Sequence, residues 1–181
     1  EKAANEYVPP GGHKGGVAAK QRTLQNVNTH IYVGTEDGEL VYVDWMPQKD
    51  QDTGKIQTTK PDFYSSIHDG PISSLERSPF DRSLLLVVGG WVWSIWKEGV
   101  NSGPLLCSAP SMKALTGGVW SPTRPSVFFI IRADGSVEVW DLLDKTHEAS
   151  LTQSLSSVSL TCIRPYNISK QQLLAVGDTN G

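Results

Sequence analysis

The chain has 181 residues and a formal net charge of −3, with 38% hydrophobic and 19% charged residues. This composition is typical of a soluble globular domain, and the charge balance excludes a broadly basic surface for nucleic acid or anionic membranes. No apolar run approaches the ~18 residues that a membrane-spanning helix needs. Cys107 and Cys162 are 55 residues apart. This spacing predicts neither a disulfide framework nor a metal site, and it favours a reducing compartment.

Residues 1–20 are predicted to be a linker. Prolines and glycines at Pro9 to Gly12 and at Gly15-Gly16 interrupt any regular element. The string GGHKGG has neither the Lys-Ser or Lys-Thr ending nor the preceding strand of a phosphate-binding loop. The chain starts without a methionine or an apolar signal segment, and we expect it to be a segment of a longer intracellular protein.

The first strong pattern after the linker is a hairpin in THIYVGTEDGELVYVDW, from Thr29 to Trp45. Two strand-like runs flank Asp37-Gly38. An Asp-Gly pair in this position predicts a tight turn, because glycine takes a positive φ without steric cost. The polar stretch from Met46 to Lys60 is rich in turn formers, which predicts an enlarged loop with a short outer strand.

The same unit occurs three more times along the chain, each time as an apolar run followed by a turn. The later units read LLLVVGGWVWSIWK, VFFIIRADGSVEVWDLL and LLAVGDTNG, and the last one stops at its turn. Their turns are predicted at Gly89-Gly90, at Asp134-Gly135 and at the final Gly181. The alternating strands that follow the first two turns end in Trp96-Lys97 and Trp140-Asp141.

Two markers repeat with a nearly constant period. The strand-end positions Val43, Trp96 and Trp140 are 53 and 44 residues apart, and Pro79, Pro122 and Pro165 follow one another at intervals of 43. A period of about 40–45 residues with a Trp-Asp strand end is the signature of WD repeats. The predicted fold is therefore an all-β, WD40-type β-propeller.

About four blade units are predicted, at residues 21–66, 67–107, 114–155 and 156–181, of which the first and last are incomplete. An open propeller would leave strand edges free to aggregate. We therefore expect this segment to belong to a larger ring whose other blades lie elsewhere in the full chain.

His68 is predicted to stabilise the second blade from within. In many WD blades a histidine before the innermost strand hydrogen-bonds inward with a Ser or Thr, an Asp and a Trp, and His68 precedes Trp96 by 28 residues. Gly89-Gly90 occupies the place of the aspartate in this blade. The third unit has Asp134 and Trp140 but no such histidine. We therefore expect degenerate blades, held by packing more than by a complete polar network.

No catalytic site, metal or cofactor is predicted. The histidines are scattered and have no partner at metal-ligand spacing, and no G-x-S-x-G string is present. Turn chemistry explains Asp37 and Asp134. The expected innermost strands offer only Glu76, Arg77 and Cys162 to a central channel, which disfavours a propeller enzyme.

The tryptophans are predicted to pack between blades. Trp91, Trp93, Trp96 and Trp140 occur on one repeated strand, where burial is the usual fate of large aromatic rings. Stacking of RNA bases on these rings is the competing interpretation, and the acidic charge balance disfavours it.

A rigid propeller without a catalytic site functions through the loops at its two ends, so protein binding is expected. The alternative is that these loops only connect strands and blades and bind no partner. The candidate contact residues are His68, Asp69, Pro71, Phe80, Arg82 and Arg124, in the loops His68 to Pro71, Ser78 to Arg82 and Ser121 to Pro125. Structural roles in the repeat are predicted for Asp37, Gly38, Trp96, Asp134, Gly135, Trp140 and Asp141.

Several strings go beyond a general WD repeat. YVGTEDGELVYVDW, SIHDGPISSLERSPF and WSPTRPSVFFI resemble the WD-repeat intermediate chains of dynein. VGGWVWSIWKEGVNSGPLL and VEVWDLLDKTHE are similar to the axonemal, two-headed inner-arm type in particular. The resemblance extends from roughly Leu24 to Gly181 and does not include the glycine-rich start.

This resemblance implies a non-catalytic subunit of the ciliary or flagellar axoneme that is preassembled in the cytoplasm. It implies a propeller that packs on the heavy-chain tail beside a second, different intermediate chain, with light chains bound by regions outside this segment. Contact of the heavy chain with His68 to Pro71 and Ser121 to Pro125 is a hypothesis based on loop composition. A general WD adaptor, in ciliary transport or as a ubiquitin ligase substrate receptor, stays open as the alternative.

Overall fold

The computed structural model describes residues 27–58, 60–169 and 171–181. In these residues the chain forms thirteen antiparallel strands in four sheets, and it contains no helix that could cross a membrane. The all-β prediction is therefore confirmed. The predicted linker over residues 1–20 and the start of the first predicted blade lie outside the described residues.

Strand order in each sheet follows the chain. The first three sheets are therefore meanders, and the fourth is a hairpin. The first sheet contains β1 (His30–Gly34), β2 (Glu39–Asp44) and β3 (Phe63–Ser66). The second contains β4 (Ile72–Arg77), β5 (Leu84–Gly89), β6 (Val92–Lys97) and β7 (Leu106–Cys107). The third contains β8 (Leu115–Trp120), β9 (Val127–Arg132), β10 (Ser136–Asp141) and β11 (Leu151–Ser154). The fourth contains β12 (Leu160–Ile168) and β13 (Gln171–Asp178).

Glycines with positive φ close the predicted hairpins. Gly38 and Gly135 both have φ of 82°, and their amides donate to the carbonyls of Thr35 and Arg132 at 3.3 and 3.2 Å. Gly181, with φ of 98°, closes the same four-residue turn after Asp178. A turn that ends in a left-handed glycine matches the twist of the paired strands, which explains its repeated use.

The turn of the second sheet differs by one residue from the prediction. Gly89 still pairs with Val92 in the ladder, so the turn consists of Gly90 and Trp91 rather than Gly89-Gly90. Gly90 has the positive φ, 58°, at the first central position of this two-residue loop. As a consequence Trp91 lies in the turn and is 45% exposed, not packed between blades as expected.

One further expectation is wrong. The outer strand of the first sheet does not lie within Met46 to Lys60; it is β3, which follows that loop. Of the periodic prolines, Pro79 and Pro122 lie in loops, whereas Pro165 lies in the middle of β12, paired with Leu174. Among the described strands β12 pairs with β13 alone, and a residue without an N–H is tolerated in such a strand.

The sheets pack face to face in chain order, first on second, second on third and third on fourth. Trp93, Trp96 and Trp140 are buried between them, as predicted, at 1%, 2% and 6% exposure. The apolar cluster between the first and second sheets consists of Leu40, Leu85, Val87 and Trp96. The cluster between the second and third consists of Leu86, Val88, Trp93, Ile95, Leu115, Trp120, Phe128, Ile130 and Trp140. The cluster between the third and fourth consists of Val119, Ile131, Val137, Leu160 and Ile163.

The described strands form an open arc, and its two outward faces are apolar. Ile31, Val33 and Tyr64 on the first sheet are 38–59% exposed. Tyr166, Ile168 and Leu173 on the fourth are 48–63% exposed. Sheet faces of this kind are normally covered in a folded protein. Their composition is compatible with the expectation that the segment belongs to a larger ring.

Candidate protein-binding surfaces

The predicted contact residues are divided between two opposite ends of the sheets. The chain enters β4 at Ile72 and leaves it at Arg77, so the loops before and after this strand lie at opposite ends. We call one the Trp91 end; it consists of residues 35–38, 67–71, 90–91 and 108–114. The other is the Arg124 end, formed by residues 78–83, 98–105 and 121–126. Asp69 and Pro71 belong to the Trp91 end, whereas Phe80, Arg82 and Arg124 belong to the Arg124 end.

The His68 side chain is in the interior and is not a surface contact. It is 2% exposed, with Nδ1 3.1 Å from the carbonyl oxygen of Gly89 and Nε2 2.9 Å from Ser94 Oγ. The Trp96 indole N–H donates to the same Ser94 Oγ at 2.8 Å. Burial lowers the pKa of His68 against the opposing effect of hydrogen bonds with the backbone of Gly89 and Val92, which favours the neutral ring. His68 therefore links the loop before β4 to β5 and β6.

Replacing His68 with alanine is expected to lower the free energy of unfolding by about 1–3 kcal/mol, because the buried Ser94 hydroxyl and Gly89 carbonyl lose their partner. Chemical denaturation of the full-length protein measures this change. The matched control is His147→Ala, since the His147 side chain is 78% exposed, and its effect should stay within about 0.5 kcal/mol. Equal effects of the two substitutions would contradict an interior role for His68.

At the Arg124 end two loops have the same build. Ser78 and Ser121 are 2% and 1% exposed, and each accepts hydrogen bonds from the backbone N–H groups two and three residues ahead. Each loop is also closed by a hydrogen bond from the backbone N–H of its serine to the carbonyl of the residue that begins the next strand. These bonds hold the backbone of both turns, and the side chains of Phe80 and Arg124 extend from them into solvent.

The exposed part of this end contains one aromatic side chain and two arginines, together with prolines, small polar residues and Asp81. Phe80 is 49% exposed, and Arg82 and Arg124 are also exposed. Arg77 contacts Glu98 at 2.6 Å, and Glu98 also accepts from the Tyr42 hydroxyl at 3.2 Å, which ties the first sheet to the second. An open cavity of about 550 Å³ lies between these two sheets, lined by Asn28, His30, Arg77, Arg82, Ser83 and Glu98.

At the Trp91 end the structure exposes two large side chains that the sequence does not predict at the surface. Trp91 is 45% exposed and Met112 is 94% exposed. They lie on adjoining loops, because Ser111 donates a backbone hydrogen bond to the carbonyl of Trp91 at 2.7 Å. Trp91 could not be predicted at the surface because its exposure depends on the one-residue shift of the hairpin turn. Composition offers no signal for Met112, which occurs singly in a polar loop.

The third sheet contains a charged network that the sequence does not predict. Arg132 donates to Glu138 and to Asp134, at 2.7 Å in both cases. The Trp140 indole N–H donates to the other oxygen of Glu138 at 2.9 Å. Burial raises the pKa of Asp134, but hydrogen bonds from Ser136 and the Arg132 charge outweigh it and lower the pKa. This blade therefore has a polar network in addition to its apolar packing.

The networks of the second and third sheets share one spacing. In each, the Trp indole N–H donates to the side chain two residues earlier on the same strand, Ser94 for Trp96 and Glu138 for Trp140. Residues two apart lie on the same face of a strand, so this contact follows from strand geometry. The polar residue two positions before the tryptophan is the signal that could have identified Glu138.

The innermost strands tie the blades together. The Glu76 carboxylate accepts from the backbone N–H of Trp120 at 2.8 Å, and the Trp120 indole donates to the Glu76 carbonyl at 3.2 Å. Burial raises the pKa of Glu76. No group of three His, Cys, Asp or Glu residues within the described ranges is placed to hold a metal ion.

Comparisons with known proteins identify the family. The model for the WD40 domain of dynein axonemal intermediate chain 3 matches residues 2–181. The chain is 44% identical over 179 residues to human dynein axonemal intermediate chain 3, which covers 98% of this chain and 20% of the relative. It is 37% identical over 134 residues to the 70 kDa intermediate chain of the flagellar outer arm from Chlamydomonas reinhardtii, covering 74% and 22%.

A solved structure supports the fold alone. A chain in the crystal structure of the mitotic checkpoint complex matches with a TM-score of 0.62 and 12% identity, over 84% of this chain and 43% of that one. The segment spans about a fifth of the length of the human relative. The chain belongs to the dynein axonemal intermediate chain family and corresponds to part of its WD40 domain.

Proposed function

We propose that this chain is part of a non-catalytic intermediate-chain subunit of axonemal inner-arm dynein, and that its propeller binds the tail of a heavy chain. Family membership supports the intermediate-chain role and the axoneme as its location. The resemblance of VGGWVWSIWKEG and DLLDKTHE to the inner-arm type supports the choice of arm. ATP hydrolysis would then belong to the heavy chain, and this subunit would act in motor assembly and ciliary motility.

The observation that carries the heavy-chain contact is the pair of rigid loops at the Arg124 end. Their buried serines fix the backbone, so little conformational entropy is lost when a partner binds Phe80 and Arg124. Aromatic and arginine side chains are enriched among the residues that contribute most to binding. A tail segment with an apolar side chain beside carboxylates would complement this surface. The Asp69 to Pro71 part of the original hypothesis lies at the opposite end and is not part of this contact.

Phe80→Ala combined with Arg124→Ala is expected to reduce heavy-chain recovery at least about tenfold, since each contact residue of this kind contributes ~1–2 kcal/mol. Affinity purification of the tagged full-length protein from ciliated cells, with quantitative mass spectrometry, measures the recovery. The control is Leu155→Ala, because Leu155 is 55% exposed but follows the outer strand β11, outside the Arg124 end. Full heavy-chain recovery with the double variant would contradict a contact at the Arg124 end.

The other components follow from the same proposal. A second, different intermediate chain would complete the pair on the heavy-chain tail, and light chains would bind regions outside this segment. Their presence in the purified complex is measured in the same experiment, because each yields its own peptides.

A further inference from the structure

Four loops form one continuous surface at the Trp91 end. Ile72 donates a backbone hydrogen bond to Thr35 at 3.0 Å, and Gly90 donates to Pro71 at 3.3 Å. Ser111 donates to Trp91 at 2.7 Å. These bonds connect the turn of the first sheet, the loop before β4, the turn of the second sheet and the loop before β8. We call the exposed residues of these loops the Trp91 surface: Glu36, Asp37, Asp69, Pro71, Trp91, Pro110, Met112 and Lys113.

The apolar part of this surface is concentrated on the second sheet. Trp91 and Met112 are 45% and 94% exposed, and Pro71 and Pro110 beside them are also exposed. A tryptophan held in a two-residue turn by hydrogen bonds on both sides loses little freedom on binding. Exposed tryptophan and methionine side chains next to each other are typical of protein-binding surfaces. These side chains are therefore suited to contact a partner protein.

The charged part is acidic. Glu36, Asp37 and Asp69 are exposed, and none of them forms an ion pair in the described part of the chain. Lys113 is the one cationic side chain on the Trp91 surface. The Arg124 end, in contrast, exposes Arg82 and Arg124 with a single exposed carboxylate, Asp81. The Trp91 surface is therefore the more acidic of the two.

We propose that the Trp91 surface binds a cationic segment of a partner protein, with a Lys or Arg side chain on the Trp91 indole and a neighbouring apolar side chain on Met112. A cation over an indole face is attracted by the negative face of the ring, and the three carboxylates add attraction that also accelerates encounter. An acidic peptide or RNA would be repelled. This contact is additional to the proposed heavy-chain contact, so the propeller would connect two partners through its opposite ends.

A binding measurement tests the chemistry of this surface. The probe is a fluorescein-labelled peptide of six Arg-Leu repeats, and the reference is the same peptide with Glu for every Arg, both added to the full-length protein. We expect the Arg-Leu peptide to bind with an affinity that falls as salt rises, and the Glu-Leu peptide not to bind. Trp91→Ala, and separately Glu36→Gln with Asp37→Asn and Asp69→Asn, should each weaken binding at least about tenfold.

Two features of the chain make these variants well controlled. Asn180 occupies the position of Asp37 in the equivalent turn of the fourth sheet, so Asp37→Asn keeps the turn chemistry. Trp45, 55% exposed after β2 at the opposite end, gives the control Trp45→Ala. Unchanged binding with Trp91→Ala and the triple variant, or an equal loss with Trp45→Ala, would overturn the proposal.

Cross-linking tests the same surface in the native assembly. Carbodiimide joins carboxylates directly to lysines, and the Glu148–Lys145 pair, 2.8 Å apart, is an internal positive control. In complexes purified from axonemes we expect Glu36, Asp37 or Asp69 to cross-link to a lysine of another chain. Trp91→Ala should keep heavy-chain recovery, so failure of this proposal is distinguishable from failure of the heavy-chain contact.

Discussion

Replacing Arg132 with alanine is expected to lower the free energy of unfolding by about 3–5 kcal/mol, because two carboxylates in a mostly buried site lose their counter-charge. The Arg132 side chain is 17% exposed, and those of Glu138 and Asp134 are 12% and 30% exposed. Glu138 also accepts a hydrogen bond from the Trp140 indole N–H. The ring centroids of Trp140 and Trp93 are 4.7 Å apart, between the second and third sheets. The loss should therefore affect the contact between these two blades.

Hydrogen exchange of the full-length protein locates this effect, and chemical denaturation gives its size. The control is Lys145→Ala, which removes an ion pair whose Glu148 side chain is 61% exposed; exposed pairs contribute only ~0.2–1 kcal/mol. Adding Glu138→Gln and Asp134→Asn to Arg132→Met should restore most of the stability, since no unpaired charge remains. Equal losses for Arg132→Ala and Lys145→Ala would show that the network does not support the blade.

Gly135→Ala is expected to destabilise the third blade by about 3 kcal/mol or more, through backbone strain combined with a steric clash. Gly135 has φ of 82°, a conformation that L side chains rarely adopt. A Cβ atom at this position would lie 2.0 Å from the carbonyl oxygen of Ser156. The clashing oxygen belongs to the Ser156 backbone, so no side-chain rotation relieves the clash. The loop into the fourth sheet would have to move.

Gly54→Ala separates the two causes. Gly54 also has a positive φ, 67°, but nothing lies within 4 Å of the Cβ position. Strain alone should cost about 1–2 kcal/mol there. Thermal unfolding of both variants of the full-length protein gives the comparison. If the Gly135 variant loses no more stability than the Gly54 variant, the close approach of the turn to the next blade is not a stabilising contact.

Much of the fold follows from local chemistry that is legible in the sequence. Asp37-Gly38 and Asp134-Gly135 identify hairpins because their turns require a left-handed residue, and the glycines have that conformation. The second turn could not be placed by the same reasoning. Two adjacent glycines allow two registers, and strand pairing decides between them by keeping Gly89 in the ladder. That single-residue shift moves Trp91 from the expected core to the surface.

The periodic prolines show the limit of spacing arguments. Pro165 follows Pro122 at the expected interval, yet it lies within β12, a strand that tolerates proline because it pairs with only one other described strand. Edge status depends on which strands pair, and this is a property of the tertiary structure. The Arg132 network could not be predicted from the sequence for a similar reason. It joins residues on two strands, and the register between those strands must be known first.

The two candidate surfaces were predictable to different degrees. Phe80, Arg82 and Arg124 are exposed at one end, as their loop composition suggests. The sequence gives His68 two incompatible roles, interior network and surface contact, and its 2% exposure permits the interior role only. Sequence order alone did not show that Asp69 and Pro71 lie opposite Phe80, because this follows from the length and direction of β4. The division into two surfaces with different charge therefore required the structure.

The most direct test of the central claim is the composition of the native complex. Affinity purification of the full-length protein from ciliated cells, followed by quantitative mass spectrometry, should recover inner-arm dynein heavy chains and a second intermediate chain in amounts near one per copy of this chain. Recovery of a ubiquitin ligase or ciliary transport complex without any dynein heavy chain would contradict the proposal that this propeller is a motor subunit.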